Sequence, residues 1–321
     1  MNRNQDWQEL IDQMKAGNVR ALTRLITRVE NRESGWMEAM KTIFPDTGKA
    51  RLIGITGSPG VGKSTLTNRV TSELRARGNS VGIIAVDPSS PFSGGAILGD
   101  RARMMDISGL EGVFVRSMAT RGVLGGLNQS ARDVAKILDS FGKDIIIIET
   151  VGVGQDEVEV VKAADLVLVV CVPGQGDGIQ AIKAGIMEIA DLFVVNKADL
   201  PGADQVVTDI VSMLDLDTNP DSKHPPVMKT VGTKGEGVAD LVDQTLELLK
   251  TVDKNSSWRQ ERIKEELIGL AEKEIITLLK RSWNKGGELD RSVKQVLEQE
   301  KDPYSIVQEV IAPFNKIVPP E

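Results

Sequence analysis

The sequence predicts an α/β fold, a mostly parallel central sheet flanked by helices, with a helical arm before it and a helical segment after it. Three observations carry that expectation. An apolar strand over 51–56 runs into Gly57-Ser58-Pro59-Gly60-Val61-Gly62-Lys63-Ser64, and a helix opens at Ser64-Thr65-Leu66; this is the G-x-x-x-x-G-K-[ST] phosphate loop in its strand–loop–helix setting, which makes the fold that of a P-loop NTPase. From 51 to about 252, strand and helix patterns alternate, as in a parallel sheet wrapped by helices. The runs IIII (145–148) and LVLVVCV (166–172) are continuously apolar, which marks strands covered on both faces and therefore central.

Taken in order, residues 1–48 read as a helical arm. Trp7, Leu10, Ile11 and Met14 recur at helical spacing, a second helix spans 19–29, Asn18 is placed to cap it, and Pro45-Asp46-Thr47-Gly48 turns the chain into the sheet. The domain at 49–253 holds strands at 51–56, 81–86, 113–115, 144–149, 166–172, 192–195 and 227–230. Its helices are expected at 63–77, 124–141, 155–163, 178–189, 203–214 and 237–251. Beyond 254 no strand pattern occurs. A long amphipathic helix over 258–283 stops at Asn284-Lys285-Gly286-Gly287, and shorter helices follow near 288–299 and 303–315. This third piece, 254–321, is too small to bury much alone, so it is expected to pack on the nucleotide domain or on a second copy of itself.

Composition narrows the function classes. No run approaches the roughly 18 apolar residues of a membrane span, and the mixed-charge start has no apolar signal core, so a cytoplasmic, non-membrane protein is expected. The single cysteine, Cys171, excludes an internal disulfide and reads as core packing; the single histidine, His224, reads as a solvated loop residue. One Cys and one His cannot make a soft-ligand zinc site, so any metal is expected to be a hard, oxygen-bound ion. A net charge of −7, from 39 basic and 46 acidic residues, gives no footprint for nucleic acid.

The phosphate loop brings three effects to one spot. Glycines let backbone N–H groups face inward, and the helix N-terminus adds unpaired donors and partial positive charge. Lys63 supplies a full charge for the β- and γ-phosphates, and the Ser64 hydroxyl is placed to ligate Mg²⁺. Residues 57–65 are thus nucleotide-binding candidates, Thr65 included.

A second motif, Asn196-Lys197-Ala198-Asp199, follows the strand ending at Val195. Asp199 is placed to accept from guanine N1–H and N2–H₂, a donor pair that adenine lacks. Losing a buried partner of this kind costs ~1–3 kcal/mol, enough to favour GTP over ATP by roughly ten- to a hundred-fold. Asn196 and the Lys197 stem are expected to brace the loop and cover the base. Val231, Gly232 and Thr233, in a glycine-rich stretch after the last strand, are expected to bring backbone N–H groups to guanine O6; the alternative reading is a plain turn.

Glu149 ends the strand expected beside the phosphate loop, where a Walker-B carboxylate holds Mg²⁺ directly or through water. Asp87 and Asp100 lie on a Pro- and Gly-rich stretch and are read as metal or switch residues, the other reading being solvated loop acids. Lys63, Asp87, Asp100 and Glu149 are the candidate catalytic residues, and Ser64, Asp87, Asp100 and Glu149 the candidate Mg²⁺ ligands. In ETVGVGQ (149–155), Gly152 would let its N–H approach the γ-phosphate, but Val153 follows where Ras-like GTPases carry a water-orienting glutamine. Intrinsic turnover is therefore expected below ~1 s⁻¹. Arg121 reads as a charge stabiliser or as a surface arginine. The loop at 173–178 and Lys183 are further features of the same sheet edge.

Together GSPGVGKST, AVDPSS, GGAILGDRARM, MATRG, ETVGVGQ, PGQGD, EIADLFVVNKAD and the helical tail resemble the methylmalonyl-CoA mutase-associated GTPase family (MeaB/ArgK, and MMAA in animals), from about residue 5 to 315. The resemblance implies a Mg²⁺-dependent GTPase that cycles between GTP and GDP and forms a homodimer through its C-terminal helices. It also implies a partner, an adenosylcobalamin-dependent acyl-CoA mutase, whose cofactor loading it gates and which it protects. By the same resemblance Asp87, Asp100 and Glu149 form the metal and switch network, Asn196 and Asp199 read guanine, and 173–188 is an additional switch facing the mutase. One departure is Val231-Gly232-Thr233, where GTPases commonly carry a Ser-Ala pair. A metallochaperone GTPase of nickel-enzyme maturation is the alternative, with no His-rich tract or Cys pair to support it; a small-molecule kinase using ATP is opposed by the NKAD motif.

Overall fold

A computed structural model describes residues 3–87, 107, 109–119, 126–150, 164–174, 189–216, 224–252 and 257–315. The described strands are β1 (Arg51–Thr56), β2 (Val81–Asp87), β3 (Val113–Ala119), β4 (Ile145–Thr150), β5 (Leu166–Cys171), β6 (Leu192–Val195) and β7 (Val227–Lys229). They form one parallel sheet in the order β3-β2-β4-β1-β5-β6-β7. The two continuously apolar runs, β4 and β5, are buried throughout and flank β1, as their composition predicts. β3 continues to Ala119, past the expected end at 115, because its ladder with β2 holds through Arg116 and Ser117. Arg116 is tolerated there because its guanidinium meets the Glu30 carboxylate and the Thr27 hydroxyl.

The helices that cover the sheet are α1 (Arg3–Lys15), α2 (Val19–Glu30), α3 (Trp36–Ile43), α4 (Lys63–Ala76), α5 (Gly126–Ser140), α6 (Ala203–Leu214) and α7 (Val238–Thr251). On one face, Ile84, Val86, Ile146 and Ile148 share a single apolar cluster with α5 and with α1–α3. The opposite face of β1, β2 and β4 packs on Leu66, Val70 and Leu74 of α4 and on α7. A smaller cluster joins Val167, Val169, Phe193 and Val195 to Ile210 of α6.

The N-terminal arm is thus a layer of the core. Leu22, Leu25 and Ile26 of α2 are fully buried, each worth about 1.5–3 kcal/mol by transfer from water. Asn18 caps α2 as its sequence position predicts, its Oδ1 accepting from the N–H groups of Arg20 (2.9 Å) and Ala21 (3.1 Å). The guanidinium of Arg32 lies over the Trp36 ring and pairs with the buried Asp133 of α5 at 2.7 Å.

At the amino-terminal edge of the sheet an arrangement repeats three times. Asp165 donates its N–H to Leu52 O (2.7 Å) while its carboxylate accepts the Leu52 N–H (3.0 Å). Asp191 does the same with Val167 (3.0 and 2.7 Å), and Asp144 with Ser80 (3.1 and 2.7 Å). Each aspartate stands just before its own strand and clasps the neighbouring one, fixing register by two bonds at a point remote from the phosphate loop. Cys171 is buried in β5, where desolvation pushes its thiol up to about 12.

The chain divides into two compact units, Met1–Arg259 and Gln260–Glu321. The second contains most of α8 (Ser257–Trp283), then α9 (Glu288–Leu297) and α10 (Pro303–Asn315). Gly286 and Gly287, both in the left-handed region, separate α8 from α9 where the sequence predicts a stop. Among the described residues no helix is long and apolar enough to cross a membrane.

Candidate functional site

β1 delivers the phosphate loop to the carboxyl edge of the sheet, between β4 and β5. Gly57 follows at φ +143°, and a Cβ there would lie 2.2 Å from the Val170 carbonyl oxygen, so only glycine fits against β5. Gly62 then opens α4 with φ +92° and no side-chain cap, and a helix N-terminus of this kind is a setting suited to an anion. No acidic residue sits in that first turn. Lys63 is 6% exposed, and its Nζ donates to Gly57 O (2.6 Å) and Ser58 O (3.0 Å), so the ammonium is held beneath the loop it serves.

Ser64 and Glu149 meet. The Ser64 Oγ donates to Glu149 Oε1 at 2.7 Å, and Glu149 is 5% exposed at the end of β4, opposite Ile55 of β1. Beside them the Thr150 hydroxyl donates to the Thr56 hydroxyl at 3.0 Å. This pairs two hard oxygen donors next to a helix N-terminus, a donor set suited to Mg²⁺. Asp87 ends β2 beside β4; its side chain lies outside the described residues, as do Asp100, Arg121, the ETVGVGQ segment after Thr150, Lys183 and the expected helices at 155–163 and 178–189.

The NKAD segment is bound to the phosphate loop and to the loop after β7 through one side chain. Asn196, 2% exposed, donates from Nδ2 to Val61 O at 2.8 Å, while its Oδ1 accepts the Gly232 N–H (3.0 Å) and the Thr230 hydroxyl (3.2 Å). Lys197 takes a left-handed backbone, φ +55°, and its Nζ donates to Gly60 O at 2.8 Å. A non-glycine residue held there costs on the order of 1 kcal/mol, and such strain gathers where geometry is tightly set. Asp199 is half-exposed with its Oδ2 3.3 Å from Lys234 Nζ, so its carboxylate is accessible. Thr65 is exposed on α4.

The departure at 232 has a spatial reason. A Cβ on Gly232 would lie 3.2 Å from Asn196 Oδ1 and 3.7 Å from Thr65 Cγ2, tight for any side chain. Two participants escape sequence reading. Thr230 is buried and completes the Asn196 bonds, but reads as an ordinary strand-end threonine. Arg69 of α4 donates from Nε to Gly232 O (3.2 Å) and from Nη2 to Thr233 O (2.9 Å), across 163 residues or more of chain, with no local signal to announce it.

Comparison with known proteins agrees with this geometry. A family model described as methylmalonyl-CoA mutase-associated GTPase MeaB matches residues 22–284. A protein of Pyrococcus horikoshii named as a GTPase is 48% identical over 307 residues, covering 92% of this chain and 95% of its own length. The GTPase ArgK of Escherichia coli is 41% identical over 195 residues, 60% of this chain and 59% of ArgK. A crystal structure described as LAO/AO transport system kinase superposes with a TM-score of 0.68 at 27% identity, over 96% of this chain and 97% of that one. With a seven-stranded parallel sheet, a phosphate loop braced by NKAD and a family match over most of its length, the chain belongs to the methylmalonyl-CoA mutase-associated GTPase MeaB family.

Proposed function

We propose that this chain hydrolyses GTP to GDP and phosphate with Mg²⁺, and uses that cycle as a chaperone for an adenosylcobalamin-dependent acyl-CoA mutase of the methylmalonyl-CoA type, gating cofactor loading and protecting the enzyme. The observation that carries the nucleotide half is Asn196, whose two ends join Val61 of the phosphate loop to Gly232 of the base-side loop. Such a joint holds a phosphate site and a base site at one fixed separation. In this reading residues 57–65 bind the phosphates, Lys63 adds charge at the β- and γ-positions, Asp199 accepts from the guanine edge, and 231–233 face O6. Ser64 and Glu149 would hold the metal, with Asp87 and Asp100 in the same network. Bound there, the metal neutralises charge on the phosphate oxygens.

The partner half is supported by the family description, which names methylmalonyl-CoA mutase. A homodimer through the second unit is supported by the apolar residues that α8 leaves exposed at helical spacing, Ile263, Leu267, Ile275 and Leu278, of which Leu267 is 62% exposed. We take the protein to be cytoplasmic, with no nucleic acid or membrane partner. No observation favours the nickel-maturation reading over this one.

Calorimetry with GDP, GTP and ATP, followed by capture of purified mutase in each nucleotide state, tests both halves. Guanine nucleotides are expected to bind at least tenfold tighter than ATP, and capture is expected to differ between the GTP and GDP states. Equal ATP affinity overturns the nucleotide half; capture indifferent to nucleotide overturns the chaperone half.

A further inference from the structure

We propose that Arg69 is a positioning residue for base recognition, acting through the Gly232–Thr233 peptide; this rests on the guanine reading above. Among residues 231–235 the backbone N–H groups are almost all used inside the protein. Val231 donates to Glu236 O (3.0 Å), Gly232 to Asn196 Oδ1 (3.0 Å), and Lys234 and Gly235 both to Val231 O (2.9 and 2.8 Å). Thr233 is the exception: its N–H has no acceptor among the described residues. It is therefore the donor this loop has left for guanine O6.

The carbonyl of that same peptide, Gly232 C=O, accepts from Arg69 Nε at 3.2 Å, and the next carbonyl, Thr233 C=O, accepts from Arg69 Nη2 at 2.9 Å. A trans peptide is planar, with C=O and N–H directed oppositely, and no cis peptide occurs in the described chain. Fixing the oxygen fixes the direction of the N–H. A guanidinium gripping two successive carbonyls also prevents the plane from rotating, because its forked donors are rigid. The cation polarises the peptide it holds, which strengthens the Thr233 N–H as a donor. Arg69 stands on α4, the helix that begins at the phosphate loop, so the O6 donor is referenced to the phosphate site from a second side, independent of Asn196. The side chain is exposed, so it adds little to global stability; its effect lies in orientation.

The test compares three diphosphates by calorimetry on the full chain. 6-Thio-GDP replaces O6 with a weaker acceptor and reads the Thr233 N–H; IDP lacks the N2 amine and reads Asp199. The wild-type protein is expected to prefer GDP to 6-thio-GDP by about tenfold, the effect of one good hydrogen bond. In Arg69→Ala, GDP affinity should fall about tenfold and 6-thio-GDP affinity stay within about twofold, so the preference collapses. The GDP-to-IDP ratio and the melting temperature should stay near wild type. Retention of the GDP-over-6-thio-GDP preference, or equal weakening of all three ligands, overturns the proposal. If the alanine variant does not fold, Arg69→Gln, neutral and able to reach only one carbonyl, is read the same way. Wild-type protein that binds none of the three overturns the guanine reading and this inference with it, before any variant is made; wild type that binds GDP without the thio preference overturns this inference alone.

Discussion

The side chain of Asn196 donates to the carbonyl of Val61 at 2.8 Å, across 135 residues of chain. Val61 sits within the G-x-x-x-x-G-K-[ST] motif, and the same carboxamide accepts from Gly232 and Thr230. One buried side chain thus satisfies three polar groups drawn from two segments, the phosphate loop and the loop after β7. Removing it leaves those groups without partners in a site closed to water, which is the costly case for a hydrogen bond.

Asn196→Asp keeps the acceptor for Gly232 and Thr230 but sets a carboxylate oxygen against the Val61 carbonyl. It is expected to weaken GDP binding by at least tenfold and to lower the melting temperature, both more than Asn196→Ser. Calorimetry and thermal melting of the two variants check this.

Glu149→Gln preserves shape while removing charge from the Ser64–Glu149 pair. Turnover of GTP is expected to fall at least tenfold, and the Mg²⁺ concentration for half-maximal activity to rise. GDP binding in EDTA should change by less than threefold. A variant with wild-type Mg²⁺ dependence would show that the pair is structural.

Gly57→Ala introduces a Cβ whose nearest neighbour, the Val170 carbonyl oxygen at 2.2 Å, belongs to β5 and cannot turn aside. The variant is expected to lose about 3 kcal/mol of folding stability or more, read from urea unfolding. Gly60→Ala, where a Cβ meets nothing within 4 Å, should cost less, limited to its φ of +80°.

Asp191 carries the pH prediction. Desolvation of its carboxyl beside Val167 pushes it above the ordinary aspartate value of 3.8, although the Val167 N–H bond acts the other way. A carboxyl raised on folding binds its proton more tightly in the native state, so its contribution to stability is fully present below 3.8 and is lost as pH rises through the folded value. Asp191→Asn keeps an acceptor for Val167 without that loss. The variant's melting temperature relative to wild type should therefore be higher at pH 7 than at pH 4, with the difference shrinking between the two.

Much of this was legible in the residues. The strand pattern located all seven described strands, since β4 and β5 need apolar residues on both faces and β1 must end in the phosphate loop. Asn196 and Lys197 brace that loop as their motif predicts. What was hidden depends on distant partners. Arg69 looks like any charged residue on the outer face of a helix, and its carbonyl partners belong to a loop whose path no local pattern encodes. The aspartate clasps are equally silent, because an acid before a strand reads as a turn residue until the neighbouring strand is in place. That α1–α3 form a layer of the core was concealed by their amphipathic pattern, which reveals an apolar face but not what covers it.

That layer has a consequence for synthesis. Leu22, Leu25 and Ile26 emerge early, yet Ile146 and Ile148, which share their cluster, lie 120 residues or more later in the chain. At ~5–20 residues per second β4 follows α2 by on the order of ten seconds. Trp7, Leu10 and Met14 of α1 and Ile43 of α3 belong to the same cluster, so the α2 stripe has apolar neighbours within the arm before its strand partners exist.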